Sequence, residues 1–263
     1  MRVKASLLIL VVLTTLGASE PTTRPATNPA LPTLFLVGDS TVHVGTPKQL
    51  GWGEPIVKYF DTSRINVINR ARGGRSSRTF QTEGLWDQVL KESKPGDFVL
   101  IQFGHNDGGP LDDTARARGT IPGTGDQSKE IYNPIMKKQE IVHTYGWYMR
   151  KYIADARAKQ LTMIVLSPVP RLPKQPVQGP STGPSGYGVW AEEVAKSEGV
   201  PFIDLGSLIL NHYRGATTRE LKEKYFTPLD NTHTNTQGAD LNASSVVEGV
   251  RTLKDCPLAG YLK

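Results

Sequence analysis

The chain has 263 residues, of which 38% are hydrophobic and 21% are charged. This composition is ordinary for a globular protein and argues against a largely disordered chain, while the length suits one large domain. The formal net charge of +6 would suit an anionic partner. The sequence has no zinc-finger spacing, basic recognition helix or aromatic single-strand platform, so we expect no nucleic acid partner.

The N-terminus has the pattern of a secretory signal. Arg2 and Lys4 precede an apolar run at residues 5–17, and small residues near Ala18 offer a cleavage site. The run is shorter than the ~20 apolar residues of a membrane span. An uncleaved anchor or a buried helix is the alternative. We therefore predict a signal peptide at residues 1–18, a secreted or periplasmic protein, and no membrane contact after the signal is removed.

From residue 33 on, short apolar runs alternate with amphipathic stretches. We predict, in chain order, strands at residues 33–37, 65–71, 97–103, 162–169 and 200–205, and helices at residues 51–60, 85–94, 144–160 and 236–253. The alternation indicates βαβ units, and right-handed crossovers then place helices on both faces of a parallel sheet. We therefore predict a single α/β domain at residues 33–263, preceded by a Pro/Thr-rich linker at residues 19–32.

Two Gly/Pro-rich stretches, at residues 108–134 and 168–188, interrupt this pattern. They are longer than ordinary connections in α/β proteins, which makes them candidates for loops over a site. The second stretch contains GPSTG, in which Ser181 matches the G-x-S-x-G nucleophile pattern. That motif requires a strand–turn–helix elbow, and here prolines surround it, so we interpret the match as a coincidence.

Polar or small residues follow the predicted strands where each strand ends. Ser40 follows the first strand in GDS, Gly74 lies after the second strand, and Asn106 follows the third in GHND. Asp230 and His233, in PLDNTH, come just before the last helix. Because parallel sheets bind ligands outside the carboxyl ends of their strands, we expect these five residues to meet at one edge.

This set of residues suits acyl transfer. The hydroxyl of Ser40 becomes an effective nucleophile when a base takes its proton, and His233 can be that base. Asp230 can accept a hydrogen bond from the other ring nitrogen and so fix the tautomer. The backbone N–H groups of Ser40 and Gly74, with the side-chain amide of Asn106, can form an oxyanion hole. Glycine at position 74 permits the close backbone approach.

Each of these residues also has a structural interpretation. Ser40 could cap a following helix, Asn106 could stabilise a turn, and Gly74 could serve only a positive φ. Asp230 and His233 could form a surface turn. These interpretations require the motifs to occur together by coincidence.

Taken in order, the motifs resemble those of the SGNH hydrolase superfamily, also called GDSL-like esterases. The motifs are GDST with Ser40, ARGGRS with Gly74, GHND with Asn106, and DNTH with Asp230 and His233. Within the superfamily, GDSTV, ARGGRSSRTF, QFGHNDG and SPVPR are most similar to the rhamnogalacturonan acetylesterase group of carbohydrate esterases. GDST departs from GDSL, and that group shares the change.

The resemblance implies a flavodoxin-like, three-layer α/β/α sandwich with a five-stranded parallel sheet, and a Ser40–His233–Asp230 triad that needs no metal or cofactor. It implies an esterase that removes acetyl groups from a plant cell-wall polysaccharide, most directly pectic rhamnogalacturonan, with xylan or another acetylated glycan as alternatives. An SGNH lipase or thioesterase acting on acyl chains is a second function, and a non-catalytic carbohydrate-binding protein is a third. No oligomeric state is predicted.

Arginines crowd the segment around Gly74. A charged loop in water is the ordinary interpretation of such a segment. The functional hypothesis is that Arg75 or Arg78 binds the uronate carboxylates of pectin, since planar guanidinium groups suit carboxylates.

Overall fold

A computed structural model describes residues 27–181 and 183–263 of the chain. Five parallel strands form the central sheet, in the order β2-β1-β3-β6-β7, and a separate antiparallel pair joins β4 to β5. The strands are β1 (Thr33–Gly38), β2 (Asn66–Asn69), β3 (Phe98–Gln102), β4 (Ser128–Asn133), β5 (Lys138–His143), β6 (Thr162–Leu166) and β7 (Phe202–Ile203).

Helices connect the strands of the central sheet as far as β7, and three more follow β7. They are α1 (Ser77–Thr82), α2 (Leu85–Glu92), α3 (Tyr145–Ala158), α4 (Tyr187–Glu198), α5 (Leu205–His212), α6 (Thr218–Tyr225) and α7 (Thr236–Thr252), with 3-10 turns at Pro55–Tyr59 and Pro257–Tyr261. Within residues 27–181 and 183–263, no helix combines the length and the hydropathy that crossing a bilayer requires.

The sheet separates two hydrophobic cores, because successive side chains of a strand point to opposite faces. Leu34 and Leu36 of β1 belong to the core that α5 and α7 cover. Phe35 and Val37 belong to the other core, which α2, α3 and α4 cover. All four side chains are buried, so β1 is continuously apolar from Leu34 to Val37 rather than alternating. The predicted three-layer fold with a five-stranded parallel sheet is confirmed.

The structure differs from the predicted elements in several connections. The helix predicted at residues 51–60 is a shorter 3-10 turn, Pro55–Tyr59, whose first position is a proline. The predicted strand at residues 65–71 is limited to Asn66–Asn69, since only this part pairs with β1. The prediction also lacked several elements that the structure contains, namely α1, α4, α5, α6 and the β4–β5 hairpin.

The predicted signal at residues 1–18 and most of the predicted linker lie outside the described residues, so both stay predictions. The last linker residues contact the domain. The backbone N–H of Asn28 donates to the Asn66 side chain at 3.0 Å, and the Lys94 ammonium donates to the Leu31 carbonyl at 2.6 Å.

The β4–β5 hairpin is attached to the domain by an ion pair between Arg78, on α1, and Glu140. Both links of this bidentate pair, Nε to Oε1 and Nη2 to Oε2, measure 2.7 Å. Nη1 of Arg78 also donates to the carbonyls of Leu111 and Gly119, at 2.8 and 2.9 Å. The Arg78 side chain has no exposed surface. The hypothesis that Arg78 binds a substrate carboxylate is therefore wrong, because the protein's own acceptors surround its guanidinium.

Replacing Arg78 by glutamine should lower the free energy of unfolding by about 3–5 kcal/mol, because it leaves Glu140 as a buried charge without its partner. The matched control is Arg75→Gln. Arg75 forms a half-exposed pair with Glu83, at 2.9 Å, and should contribute at most about 1 kcal/mol. Denaturant unfolding of the three proteins measures both effects. Equal losses for the two variants would contradict the assigned role of Arg78.

Candidate active site

Four separate segments meet at the carboxyl edge of the central sheet. They carry Ser40 after β1, Gly74 between β2 and α1, Asn106 after β3, and Asp230 with His233 before α7. The structure thus brings together all five residues that the sequence placed at this edge. Ser40 is not a helix cap, since a turn follows it and the next helical segment begins at Pro55.

Three side chains form a continuous chain of hydrogen bonds. Nε2 of His233 lies 2.7 Å from Oγ of Ser40, and Nδ1 of His233 lies 2.8 Å from Oδ2 of Asp230. A carboxylate can only accept, so Nδ1 carries the proton and Nε2 is left to accept from the serine hydroxyl. This tautomer is the one that a general base needs.

The Asp230 carboxylate accepts four hydrogen bonds. Oδ1 accepts from the backbone N–H groups of Thr232 and His233, at 2.7 and 2.8 Å. Oδ2 accepts from the His233 ring and from Nε2 of Gln49, at 2.8 and 2.9 Å. Burial alone would raise the pKa of Asp230, but the hydrogen bonds from His233 and Thr232 outweigh it and hold that pKa well below its usual range. The group therefore stays a carboxylate.

Gln49 is a site residue that the sequence analysis missed. It is buried, and it belongs to a segment that holds the residues around His233 in place. The next residue, Leu50, donates its N–H to the Thr234 carbonyl at 2.9 Å and accepts from the Thr234 hydroxyl at the same distance. A lone glutamine in PKQLG matches no motif, so its role could be recognised only from the folded contacts.

A buried polar chain supports the turn that carries Ser40. The N–H and hydroxyl of Thr41 donate to Oδ1 of Asp39, both at 2.8 Å. Gln102, the last residue of β3, donates to the Thr41 hydroxyl at 2.6 Å and accepts from the Trp52 indole at 3.0 Å. Gly38 allows this close approach, because a Cβ there would come within 2.7 Å of the Gln102 carbonyl oxygen.

The three donors that were predicted for an oxyanion hole belong to residues that line one cleft, namely Ser40, Gly74 and Asn106. Gly74 has a φ of +80°, which favours glycine. Within the described part of the chain, the N–H groups of Ser40 and Gly74 donate to no other group. The Asn106 amide donates one hydrogen to the Arg75 carbonyl at 2.8 Å, which fixes the side chain and leaves its second hydrogen for a ligand.

Asp107 ties the Asn106 loop to the start of α1. Its Oδ1 accepts from both the N–H and the hydroxyl of Ser77, the first residue of α1. Burial raises the pKa of Asp107 to about 7, against the opposing effect of the Ser77 hydrogen bonds. Asp107 supports the loop that holds Asn106 and does not itself line the cleft.

The residues of the triad open into a cleft of about 690 Å³ that both Gly/Pro-rich loops border. Arg75 lines this cleft, as its assignment to substrate binding requires, and its Nε donates to Glu83. Ile135, at the tip of the β4–β5 hairpin, lines it from the other side. Arg78 does not reach the cleft, because it is enclosed beneath the hairpin.

The raised pKa of Asp107 predicts a distinct pH dependence of stability. The folded state binds a proton more tightly than the unfolded state, whose aspartate has a pKa near 4, so the free energy of unfolding should fall between about pH 4 and about pH 7. Asp107→Asn removes this titration. The stability of the variant relative to the wild-type protein should therefore rise by about 1–3 kcal/mol between about pH 5 and about pH 8, measured by denaturant unfolding. If the free energies of unfolding of the two proteins changed with pH in parallel, the titration assigned to Asp107 would be ruled out.

Comparisons with known proteins give related sequences along most of the chain. A model of the GDSL-like Lipase/Acylhydrolase family matches residues 36–241. The chain is 32% identical to a rhamnogalacturonan acetylesterase of Emericella nidulans, over 83% of this chain and 84% of the relative. It is 31% identical to a probable rhamnogalacturonan acetylesterase of Bacillus subtilis, over 84% and 93% of the two chains.

Solved structures resemble the fold as well. The Bacillus subtilis protein YxiM superposes with a TM-score of 0.65 at 25% identity, over 84% of this chain, which spans only 56% of that structure. An acetylxylan esterase of Geobacillus stearothermophilus superposes with a TM-score of 0.56 over 85% of this chain and 95% of its own. At 15% identity, the second likeness concerns the fold alone.

Proposed function

The chain belongs to the GDSL-like lipase/acylhydrolase (SGNH) family and is an ester hydrolase, and we propose that it removes O-acetyl groups from a plant cell-wall polysaccharide, most directly pectic rhamnogalacturonan. The observation that carries the proposal is the hydrogen-bonded chain from Ser40 through His233 to Asp230. The names of two relatives above 30% identity support the choice of substrate.

In the proposed reaction, Oγ of Ser40 attacks the acetyl carbonyl carbon while its proton moves to Nε2 of His233. Asp230 stabilises the imidazolium that forms. The negative charge on the former carbonyl oxygen is held by the N–H groups of Ser40 and Gly74 and by the Asn106 amide. When the intermediate collapses, the carbon–oxygen bond to the sugar breaks, and His233 returns the proton to the sugar oxygen.

A water molecule completes the cycle. It attacks the acetyl-Ser40 ester as His233 takes one of its protons, and a second tetrahedral intermediate forms in the same oxyanion hole. Its collapse breaks the bond to Oγ, which regains a proton from His233. The products are acetate and the deacetylated polysaccharide, the serine is regenerated, and the cycle consumes one water molecule without any oxidant or reductant.

The cleft favours a short acyl group on a polar carrier over a long acyl chain. Four arginines, Arg75, Arg116, Arg118 and Arg171, line it alongside the triad. Its apolar lining is limited to scattered side chains such as Val44 and Ile135. A lipase or thioesterase would gain affinity by burying apolar surface, at about 25 cal/mol per Å². An exposed, arginine-rich wall provides little such surface.

We also propose that the protein is exported. The support is the charged and apolar pattern of residues 1–18, together with a substrate that lies outside the cell. The proposal predicts that the mature protein lacks this segment, which mass spectrometry of the exported protein would establish.

Ser40→Ala should abolish hydrolysis of para-nitrophenyl acetate, and Asn106→Ala should lower kcat by about 10²–10³-fold through loss of one oxyanion donor. A serine-directed fluorophosphonate should label Ser40 alone, as located by mass spectrometry. Ser181→Ala is the matched control, because Ser181 lies in the GPSTG segment and bonds to Ser207 instead of a histidine. A near-normal rate in Ser40→Ala would refute the mechanism, and an unlabelled Ser40 would favour a non-catalytic carbohydrate-binding protein.

The substrate can be tested with acetylated polysaccharides compared at equal acetyl content. Acetate release should be fastest from acetylated rhamnogalacturonan and slower from acetylated xylan. Nitrophenyl esters of increasing chain length should be cleaved more slowly beyond acetate, because the cleft offers little apolar surface to longer chains. Faster cleavage of long-chain esters would favour the lipase or thioesterase alternative.

A further inference from the structure

A second hollow adjoins the cleft that contains the triad. It has a volume of about 520 Å³ and lies between the loops that follow β3 and β6. The two hollows share part of their lining, namely His105, Asn106, Arg118 and Arg171. These residues form the boundary between the hollows, so a chain-like ligand with an acetyl group at Ser40 could extend past Asn106 into the second hollow.

The boundary between the hollows is positively charged. Arg171 is exposed, and its guanidinium forms no hydrogen bond or ion pair within residues 27–181 and 183–263. Arg118 donates one hydrogen bond, from Nη1 to the Gly74 carbonyl at 2.9 Å, which leaves its other donors for a ligand. The fork of a guanidinium matches a carboxylate in geometry as well as in charge.

Carboxylates of the lining form no ion pair with these two arginines. Glu83, in the cleft, is paired with Arg75. Asp204, in the second hollow, caps α5 by accepting from the Ser207 N–H at 3.2 Å, and it also accepts from the Ser167 hydroxyl at 2.9 Å. Only the Glu83 charge is therefore compensated. Asp204 keeps its negative charge, because its donors are neutral, so the second hollow has one carboxylate against two guanidinium groups in its lining.

The electrostatic effects on neighbouring groups agree with this picture. Burial lowers the pKa of His105, Asp39 opposes that shift, and the charge of Arg171 lowers the pKa further. Burial also lowers the pKa of Arg118 and the like charge of Arg116 adds to the effect, while the charges of Asp113, Asp39 and Asp107 oppose it. Arg116 and Arg118 therefore repel each other and Arg171 acts on His105, and a bound anion would relieve part of this repulsion.

An aromatic wall completes the second hollow. Tyr187 lines it, and the tyrosine ring is held by edge contacts with Tyr145 and Trp190, at centroid distances of 5.1 and 4.9 Å. A fixed, half-buried ring offers an apolar surface beside the arginines. A sugar that bears a carboxylate has both complementary features, since its ring carries C–H groups and its substituent carries charge.

We propose that the second hollow is a subsite for a uronate residue of the polysaccharide, placed along the chain from the acetylated sugar, with Arg171 and Arg118 binding its carboxylate. This inference rests on the proposed function, because it extends the same substrate beyond the acetylated sugar. It makes Arg171 and Arg118 determinants of specificity, distinct from the groups that react with the ester.

The test compares Arg171→Gln with wild type on acetylated rhamnogalacturonan, which carries uronates, and on acetylated xylan stripped of uronate side groups. The variant should lose at least about tenfold more kcat/KM on the uronate substrate than on the neutral one, mainly through a higher KM. Raising ionic strength from about 50 to about 500 mM should shrink this difference, because salt screens exposed charges. Arg219→Gln, in an exposed pair with Glu223 on α6, is the control and should match wild type on both substrates.

Equal losses of kcat/KM on both substrates, or no loss on either, would overturn the proposed subsite.

A second measurement separates this result from failure of the proposed function. De-acetylated polygalacturonate should inhibit hydrolysis of para-nitrophenyl acetate by the wild-type protein, and at least about tenfold less strongly by Arg171→Gln. If the wild type released no acetate from any polysaccharide, the proposed function would fail, yet inhibition lost in Arg171→Gln would still support the uronate subsite. Absence of inhibition in the wild type would refute it.

Discussion

A hydrogen bond between Ser40 and His233 joins residues that lie 193 positions apart in the chain. Hydrogen bonds weaken steeply with distance and misalignment, so both ends of this bond need firm supports. One support is the polar chain from Asp39 through Thr41 to Gln102, which ties the serine turn to the neighbouring strand. The other is the Asp230 carboxylate, fixed by backbone N–H groups and by Gln49. The sheet brings the two supports to one edge.

The sequence predicted site residues correctly where the local hydrophobic pattern determines the position of a residue in the fold. Buried strands such as β1 and β3 are apolar runs, and the residues that follow them must lie at the carboxyl edge, so Ser40 and Asn106 were placed correctly. The roles of Gln49 and Arg78 depend on partners far along the chain. A buried arginine and an exposed one look alike in ARGGRSSR, and only the position of Glu140, 62 residues later, separates Arg78 from Arg75. The β4–β5 hairpin is largely polar and has no clear alternation of apolar and polar residues, so the sequence did not indicate its strands.

The arginines near the site fall into two groups with different physical roles. Arg78 is desolvated and surrounded by acceptors, so its charge is used to hold the hairpin and the loop after β3 together. Arg171 and Arg118 face solvent-filled hollows, where a charge keeps its interaction with water until a ligand replaces it. Arginine thus contributes to stability where it is buried and to ligand binding where it faces solvent, because the dielectric surroundings differ. The hairpin connects the two roles, because Arg78 anchors the element whose tip, at Ile135, borders the cleft.

Both edge strands of the central sheet are short. On one side lies β7, with two residues, and on the other β2, with four, where the side chain of Asn66 donates to the backbone of Asn28. A long edge strand has unpaired main-chain N–H and C=O groups that can pair with a strand of another molecule, and such pairing is a common start of aggregation. Here neither border presents a long row of free main-chain groups. The central sheet should therefore give a second copy of the protein little template on which to assemble.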